Sequence, residues 1–303
     1  MYRIAAVLLV IVVTVVVFAT SSTHAFPGRN GAIAFGWHAV DEPELGPPFT
    51  YVRAIRTVHP PGTKARTVIG CRESDTGPLA GNCSLPAYAD PAFSPSGKLI
   101  AFDAGPTLAI REAGGALTVL PAHSEDDGEP AFSPTGPSLV FSAGASASQP
   151  GAVRDLWISD RAGAGAHRLI RNGSDPAWST RNWIAFVRDG AIWRVRPDGG
   201  KLRKVASRAS APAWSPHGTK LAFVRRGRIV VARADGSAPR RVLQAGAVDL
   251  AWSPDGRQLA FDVFDGGVWT TFVKAGEARQ LVPGGVNATS SFGADGVDWQ
   301  PRR

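Results

Sequence analysis

The sequence predicts an all-β fold: six four-stranded antiparallel sheets set radially around a channel, a six-bladed β-propeller. Three observations carry that prediction. A strand-turn-strand phrase recurs at near-constant spacing, a second hairpin follows it, and one copy of the phrase is divided between the two ends of the chain.

The phrase reads "DPAFSPSGKLIAF" from Asp90, "EPAFSPTGPSLVF" from Glu129, "DPAWSTRNWIAF" from Asp175, "APAWSPHGTKLAF" from Ala211 and "DLAWSPDGRQLAF" from Asp249. The closing residues Phe102, Phe141, Phe186, Phe223 and Phe261 are 39, 45, 37 and 38 residues apart. A period of about 40 residues marks a repeat architecture. The sixth copy is split. "GVDWQP", Gly296 to Pro301, has only a first strand, and "NGAIAF", Asn30 to Phe35, has only a second.

Turn chemistry explains each copy. Ser-Pro-x-Gly recurs at 94–97, 133–136, 215–218 and 253–256. Its proline pre-sets the φ of a turn's second residue, and its glycine supplies the left-handed conformation that closes a hairpin. Short apolar runs such as "LIAF" on either side suit strands buried on both faces. No stretch after residue 26 shows sustained helical periodicity.

The second hairpin is written in "DLWISDRAGAGAHRLI", "AIWRVRPDGGKLRKVA", "RIVVARADGSAPRRVL" and "GVWTTFVKAGEARQLV". Two hairpins make one blade, and about four to eight blades close a ring. The split copy then has a purpose. Residues 296–301 are expected to supply the innermost strand of the closing blade and residues 31–69 its other three, so sheet hydrogen bonds latch the ring. Residues 26–303 are read as one domain, a length that all-β rings reach.

The phrase "PAWSPDG" followed by "LAF" resembles the TolB-like and WD40-like β-propeller repeat, over nearly all of residues 30–301. The resemblance implies a six-bladed propeller exported from a bacterial cell, in a family used mostly for binding. The chain departs from TolB in passing from its leader straight into strand, without the α/β domain that precedes the TolB propeller, so TolB's partners do not carry over. It also shows no G-x-S-x-G elbow of the hydrolase domain that prolyl oligopeptidase-type propeller enzymes bear.

Residues 1–25 read as a secretory signal. Arg3 precedes an apolar run, Ile4 to Ala19, broken only by Thr14, and "THA" at 23–25 sets cleavage before Phe26. The competing reading is an uncleaved anchor at residues 4–19, although a spanning helix wants about 20 apolar residues. Either places the propeller outside the cytoplasm: periplasmic, on the cell surface or secreted. In that compartment Cys71 and Cys83, which flank "RESDTGPLAGN", are expected to form a disulfide. Closing so short a loop contributes about 3 kcal/mol in the chain-entropy model. The insertion they bound is the expected specificity loop, beside the stretch from Ser142 to Gly151.

Catalytic motifs are missing from the sequence: no H-E-x-x-H, no P-loop and no dinucleotide fingerprint. His123, His167 and His217 stand beside turns and read as solvated or structural. No cofactor is implied. Four of six blades open their inner strand with a carboxylate, Asp90, Glu129, Asp175 and Asp249, where the other two have Ala211 and Gly296. Asp298 adds a fifth acid beside its strand's tryptophan, and "EDDGE", Glu125 to Glu129, adds charge. In a propeller these strand starts converge on one mouth of the channel. The acids are read there as caps on local backbone N–H groups, or as a ring that takes a cation or a basic partner. The aromatics Phe93, Phe132, Trp178, Trp214, Trp252 and Trp299 share one repeat position and are expected to pack between blades.

The net charge is +8, and residues 181–241 alone hold fifteen Lys and Arg against three acids. Arg194, Arg196, Arg203, Lys204, Arg225, Arg226 and Arg228 are read as a basic face drawn to anionic envelope polymers, phospholipid headgroups or acidic proteins. Nucleic acid is not expected outside the cytoplasm. The function expected is that of an exported, non-catalytic, monomeric module binding an envelope protein or polymer. The alternative is a small-substrate hydrolase or lyase in the channel mouth.

Overall fold

The computed structural model describes residues 25–41, 50–62, 64–71, 89–145, 153–263, 267–283, 285–286 and 290–302. Six antiparallel sheets form a ring. The second blade is β4 (Ala89–Phe93), β5 (Leu99–Asp103), β6 (Leu108–Glu112) and β7 (Leu117–Val119). The third is β8 (Asp126–Phe132), β9 (Ser138–Gly144), β10 (Arg154–Asp160) and β11 (His167–Ile170). The fourth is β12 (Ser174–Trp178), β13 (Ile184–Arg188), β14 (Ala191–Val195) and β15 (Arg203–Ser207). The fifth is β16 (Ser210–Trp214), β17 (Lys220–Arg225), β18 (Arg228–Arg233) and β19 (Arg240–Gln244). The sixth is β20 (Ala247–Trp252), β21 (Gln258–Val263), β22 (Val268–Phe272) and β23 (Ala278–Val282).

The first blade closes the ring as the split copy predicts. Its strands β1 (Arg29–Asp41), β2 (Thr50–Val58) and β3 (Arg66–Cys71) come from the start of the chain, and β25 (Ser290–Arg302) from its end. β25 pairs with β1 from Arg29↔Arg302 to Asp41↔Ser290. This ladder is longer than the 296–301 expected, and β24 (Gly285–Val286) adds a fifth strand to what was expected as a four-stranded blade. The innermost strands β25, β4, β8, β12, β16 and β20 neighbour one another around the channel.

The repeated phrase holds each inner hairpin. Ser94, Ser133, Ser179, Ser215 and Ser253 are buried, and each hydroxyl oxygen accepts the N–H that reopens the ladder, from Leu99, Ser138, Trp183, Lys220 and Gln258 respectively. The turn's last residue has φ between 59° and 88° in all five, and where the fourth blade lacks glycine Asn182 takes that conformation. Its amide side chain accepts the Trp178 indole N–H at 2.9 Å.

Burial is concentrated between blades. Six apolar clusters each join two neighbours, as where Ile55 and Ile69 of the first blade meet Phe93 and Phe102 of the second. The shared aromatic position lies in these junctions, as expected. The indole N–H of Trp214 donates to the Ala177 carbonyl of the blade before it, and that of Trp252 to Ala213, both at 3.1 Å.

The channel has two unlike ends. At the turn end, where the inner strands finish, the Ala25 N–H donates to the Trp214 carbonyl and the Gly28 N–H to that of Pro254. Phe26 packs with the second and third blades and Ala25 with the fifth and sixth, so adjacent buried residues lie across the channel there. The expected cleavage point falls between them, while residues 1–24 lie outside the described residues. At the acid end, where the inner strands begin, the strands flanking segments 42–49, 72–88, 146–152, 264–266 and 287–289 all terminate. The disulfide expected between Cys71 and Cys83 falls outside the described residues, because Cys83 lies in segment 72–88.

A chain ending at Asp295 keeps every other strand yet loses the innermost strand's contacts with β4 and β20. It is expected to lose its cooperative thermal transition, followed by near-ultraviolet circular dichroism; a sharp transition at an unchanged temperature would show that the latch is dispensable.

Candidate functional site

The acids gather at the acid end, as the strand starts predict, but they are buried rather than presented. Asp90, Glu129, Asp175, Asp249 and Asp298 are all at most 6% exposed. Asp90, Glu129 and Asp175 have φ of 53°, 57° and 58°, Ala211 has 50°, and Gly296 has 70°. Each of the first four sits in a register shift between its inner strand and the next strand outward. Such a bulge unpairs one residue and re-aims it, here toward the neighbouring blade. Glycine is required at 296, because a Cβ there would stand 2.7 Å from Asp90 Oδ1 and 2.9 Å from its Cα.

The re-aimed backbone is tied by carboxylates. The Asp175 N–H donates to Glu129 Oε2 at 2.6 Å, and the Ala211 N–H to Asp175 Oδ2 at 3.0 Å. The Val297 N–H donates to Asp249 Oδ2 at 3.1 Å, and the Phe93 N–H to Asp298 Oδ2 at 2.5 Å. The Glu129 N–H donates to Asp103 Oδ1 at 2.8 Å. Each bond crosses from one blade to the next. Only the junction after the fifth blade differs: Ala211 offers no carboxylate, and the Asp249 N–H turns to Asp262 of its own blade at 2.7 Å. Glu129, Asp175, Asp249 and Asp298 therefore cap backbone N–H groups, chiefly of the following blade's strand rather than of their own turn.

Two participants, Asp103 and Asp262, lie outside the repeat position that the sequence singles out. Their signal was a carboxylate directly after the closing phenylalanine, in "LIAFD" and "LAFD". The third blade has Ser142 there, and its hydroxyl donates to Glu129 Oε2 at 2.6 Å. A third residue, Arg154, has no motif. Its guanidinium donates to Asp126 at 3.1 Å and to the Ser142 carbonyl at 3.1 Å, while its buried Nε has no hydrogen-bond partner. Burial pulls its pKa down, yet Glu129, Asp126, Asp103 and Asp90 hold it above the ordinary value.

Burial raises the Asp103 carboxyl well above the usual carboxylate range; the charges of Asp90 and Glu129 add to this and Arg154 opposes it. Asp249 is raised in the same way, by burial first and then by Asp262, Asp175 and Asp90. Of the "EDDGE" acids, Asp127 accepts the His123 and Ser124 groups and closes a local turn. The His123 ring also approaches the Gly163 carbonyl at 3.2 Å and packs on Phe141, so it is structural. Among the described residues no three His, Cys, Asp or Glu side chains are grouped as metal ligands would be.

The seven basic residues do not share one face. Arg194, Arg196, Arg203 and Lys204 stand where β14 ends and β15 begins, at the turn end. Arg225, Arg226 and Arg228 stand where β17 meets β18, at the acid end. Sequence proximity hid this because each hairpin returns the chain to the opposite end. Arg194 and Arg196 stack their guanidinium groups on Trp183 at 4.4 and 3.9 Å. A groove of about 520 Å³ also opens at the acid end, between the fifth and sixth blades, lined by Leu243, Ala245, Phe261, Val263, Trp269 and Ala278. The Trp269 indole N–H is buried there without a partner.

Compared by sequence, the chain matches no family model and no curated protein. Compared by structure, it is similar to TolB from Acinetobacter baumannii, with a TM-score of 0.66 and 16% identity over 91% of this chain and 68% of that one. It is also similar to an oligogalacturonate lyase in complex with manganese, at 0.53 and 13% identity over 84% and 86%. A chain of a nidogen/laminin complex aligns at 0.58 and 11% identity over 88% and 98%. The likeness is one of fold: the protein is a six-bladed propeller of TolB-like architecture.

Removing an inter-blade acceptor strands a buried N–H. Asp175→Ala is expected to cost about 1–3 kcal/mol in urea unfolding, and Asp175→Asn, which keeps a carbonyl oxygen, less than half as much; equal costs would show that the acceptor is immaterial.

Asp103 and Asp249 hold their protons to higher pH in the folded chain than in the unfolded one. The folded state therefore binds more protons, and stability falls as pH rises from about 4 through the raised values. The thermal midpoint is expected to be higher at about pH 5 than at about pH 7, with the difference shrinking in Asp249→Asn; an undiminished difference would assign it to other groups.

Proposed function

We propose that this chain is an exported, non-catalytic binding module of the cell envelope, which recognises a protein or an envelope polymer at the acid end of its channel. One observation carries the reading: the three connections of eight residues or more, 42–49, 72–88 and 145–153, join strand ends on that side, around a mouth where Glu129, Asp175, Asp249 and Asp298 accept backbone N–H groups. Rigid scaffolds place binding residues on loops of this kind. The groove beside Trp269 adds apolar surface and an unused donor at the same end. Structural likeness to TolB is consistent with a binding role in kind, and fold alone never assigns function.

A second reading, a hydrolase or lyase acting on a small substrate, is favoured by Asp249, a buried carboxyl with a raised pKa of the sort that general acids use. Its oxygens, however, accept the Leu250 and Val297 N–H groups and point to holding rather than reacting.

Affinity capture from native envelope extract separates the two. The chain from Ala25 onward is expected to retain a partner that is lost when residues 72–88 are replaced by a short Gly-Ser linker with the thermal midpoint unchanged. Equal retention by both would contradict the loop-based reading. Turnover of a small substrate that disappears in Asp249→Asn would establish the second reading in its place.

A further inference from the structure

The turn end of the ring carries a surface that the binding reading does not use. Ten of the fifteen Lys and Arg between 181 and 241 stand in turns or at strand ends there: Arg181, Arg194, Arg196, Lys201, Arg203, Lys204, Lys220, Arg233, Arg240 and Arg241. Within that stretch only Asp198 and Asp235 oppose them at that end, and the sixth blade adds Asp255 and Glu277 there against Arg257, Lys274 and Arg279. Among the described residues none of these cations pairs with a carboxylate within 4.0 Å, in contrast to Arg154 and Arg168. The crowding is felt within the patch, since Arg194 is held below its ordinary pKa by burial and by the charges of Arg203 and Arg196, against the pull of Asp235.

Two further observations say what covers this face. Of the three large apolar side chains exposed among the described residues, two are at this end: Leu202, 38% exposed between Lys201 and Arg203, and Phe272, 52% exposed where β22 finishes. A soluble polyanion has no use for them, whereas a lipid interface takes apolar side chains between its headgroups. The chain's start is also here. The Ala25 N–H donates to the Trp214 carbonyl, so the chain enters the ring at this end, the end to which an apolar run at 4–19 leads on the anchor reading.

We propose that the turn end over the fourth to sixth blades is a docking surface for an anionic phospholipid bilayer. Lys and Arg hold the headgroup phosphates, and Leu202 and Phe272 enter the interface between them. The long loops of the acid end then face away from the membrane. The proposal is independent of what those loops bind.

The test is co-sedimentation of the chain from Ala25 onward, which keeps every described residue, with vesicles of phosphatidylcholine alone or mixed with phosphatidylglycerol. Binding is expected on the mixed vesicles only and to weaken with salt. Replacing Lys201, Arg203 and Lys204 by Gln should lower the partition about tenfold, given that each basic residue near an anionic surface adds attraction. The double variant Leu202→Ser, Phe272→Ser should also lower it. Replacing Arg208, Arg226 and Arg228 by Gln removes the same charge from the acid end and should change it less than about twofold. Equal losses from the two charge triples, or no loss from the apolar pair, would overturn the proposal. So would retention on immobilised polyphosphate without vesicle binding, which would make the face a soluble-polyanion site. All substituted side chains are on the surface, and circular dichroism checks that each variant folds.

Discussion

The innermost strand of every propeller blade is a sheet edge turned toward the channel, and its bulged backbone leaves N–H groups that the ladder does not use. Buried backbone donors need partners. Here side-chain carboxylates supply them across five of the six blade junctions, through Asp103, Glu129, Asp175, Asp249 and Asp298. A carboxyl oxygen accepts an N–H whether or not the group is ionised, so the crowding that makes Asp103 and Asp249 hold their protons to higher pH leaves the ties in place. The rest of the structure follows from this tie. It sets the rotation of each blade on the last, which aligns the apolar junctions and the indole N–H bonds of Trp214 and Trp252.

That arrangement gives the two ends different characters. At the turn end, short Ser-anchored turns give a compact rim, and Ala25 and Phe26 lie across the channel. At the acid end the carboxylates are buried, and Glu129, Asp175, Asp249 and Asp298 accept backbone N–H groups. The groove between the fifth and sixth blades lies at the acid end, while Arg194, Arg196, Arg203 and Lys204 stand at the turn end. On the two proposals made above, one ring would make two independent contacts, facing in opposite directions.

Much of this was legible in the sequence. The repeat phrase and its split copy determine blade number, strand order and the closing pair, because turn residues and short apolar runs are local properties. The convergence of Asp90, Glu129, Asp175 and Asp249 on one mouth also followed, since strand starts share an end. Their burial, and the acceptance of the next blade's N–H by Glu129, Asp175 and Asp249, did not, because both depend on bulged strand starts that appear only when blades meet. Asp103 and Asp262 were visible only as polar residues closing apolar runs, and Arg154 carries no pattern. The basic residues misled for a related reason: seven positions close in sequence alternate between the two ends as the hairpins turn.

The most direct measurement is residue-resolved amide hydrogen exchange on the inner strands. If the carboxylate ties hold the ring, the N–H groups of Phe93, Glu129, Asp175, Ala211 and Val297 exchange only on global unfolding, as do the ladder amides of the same strands. Fast exchange at these five amides in an otherwise protected sheet would mean that the ring is held by its apolar junctions alone, and would contradict the account.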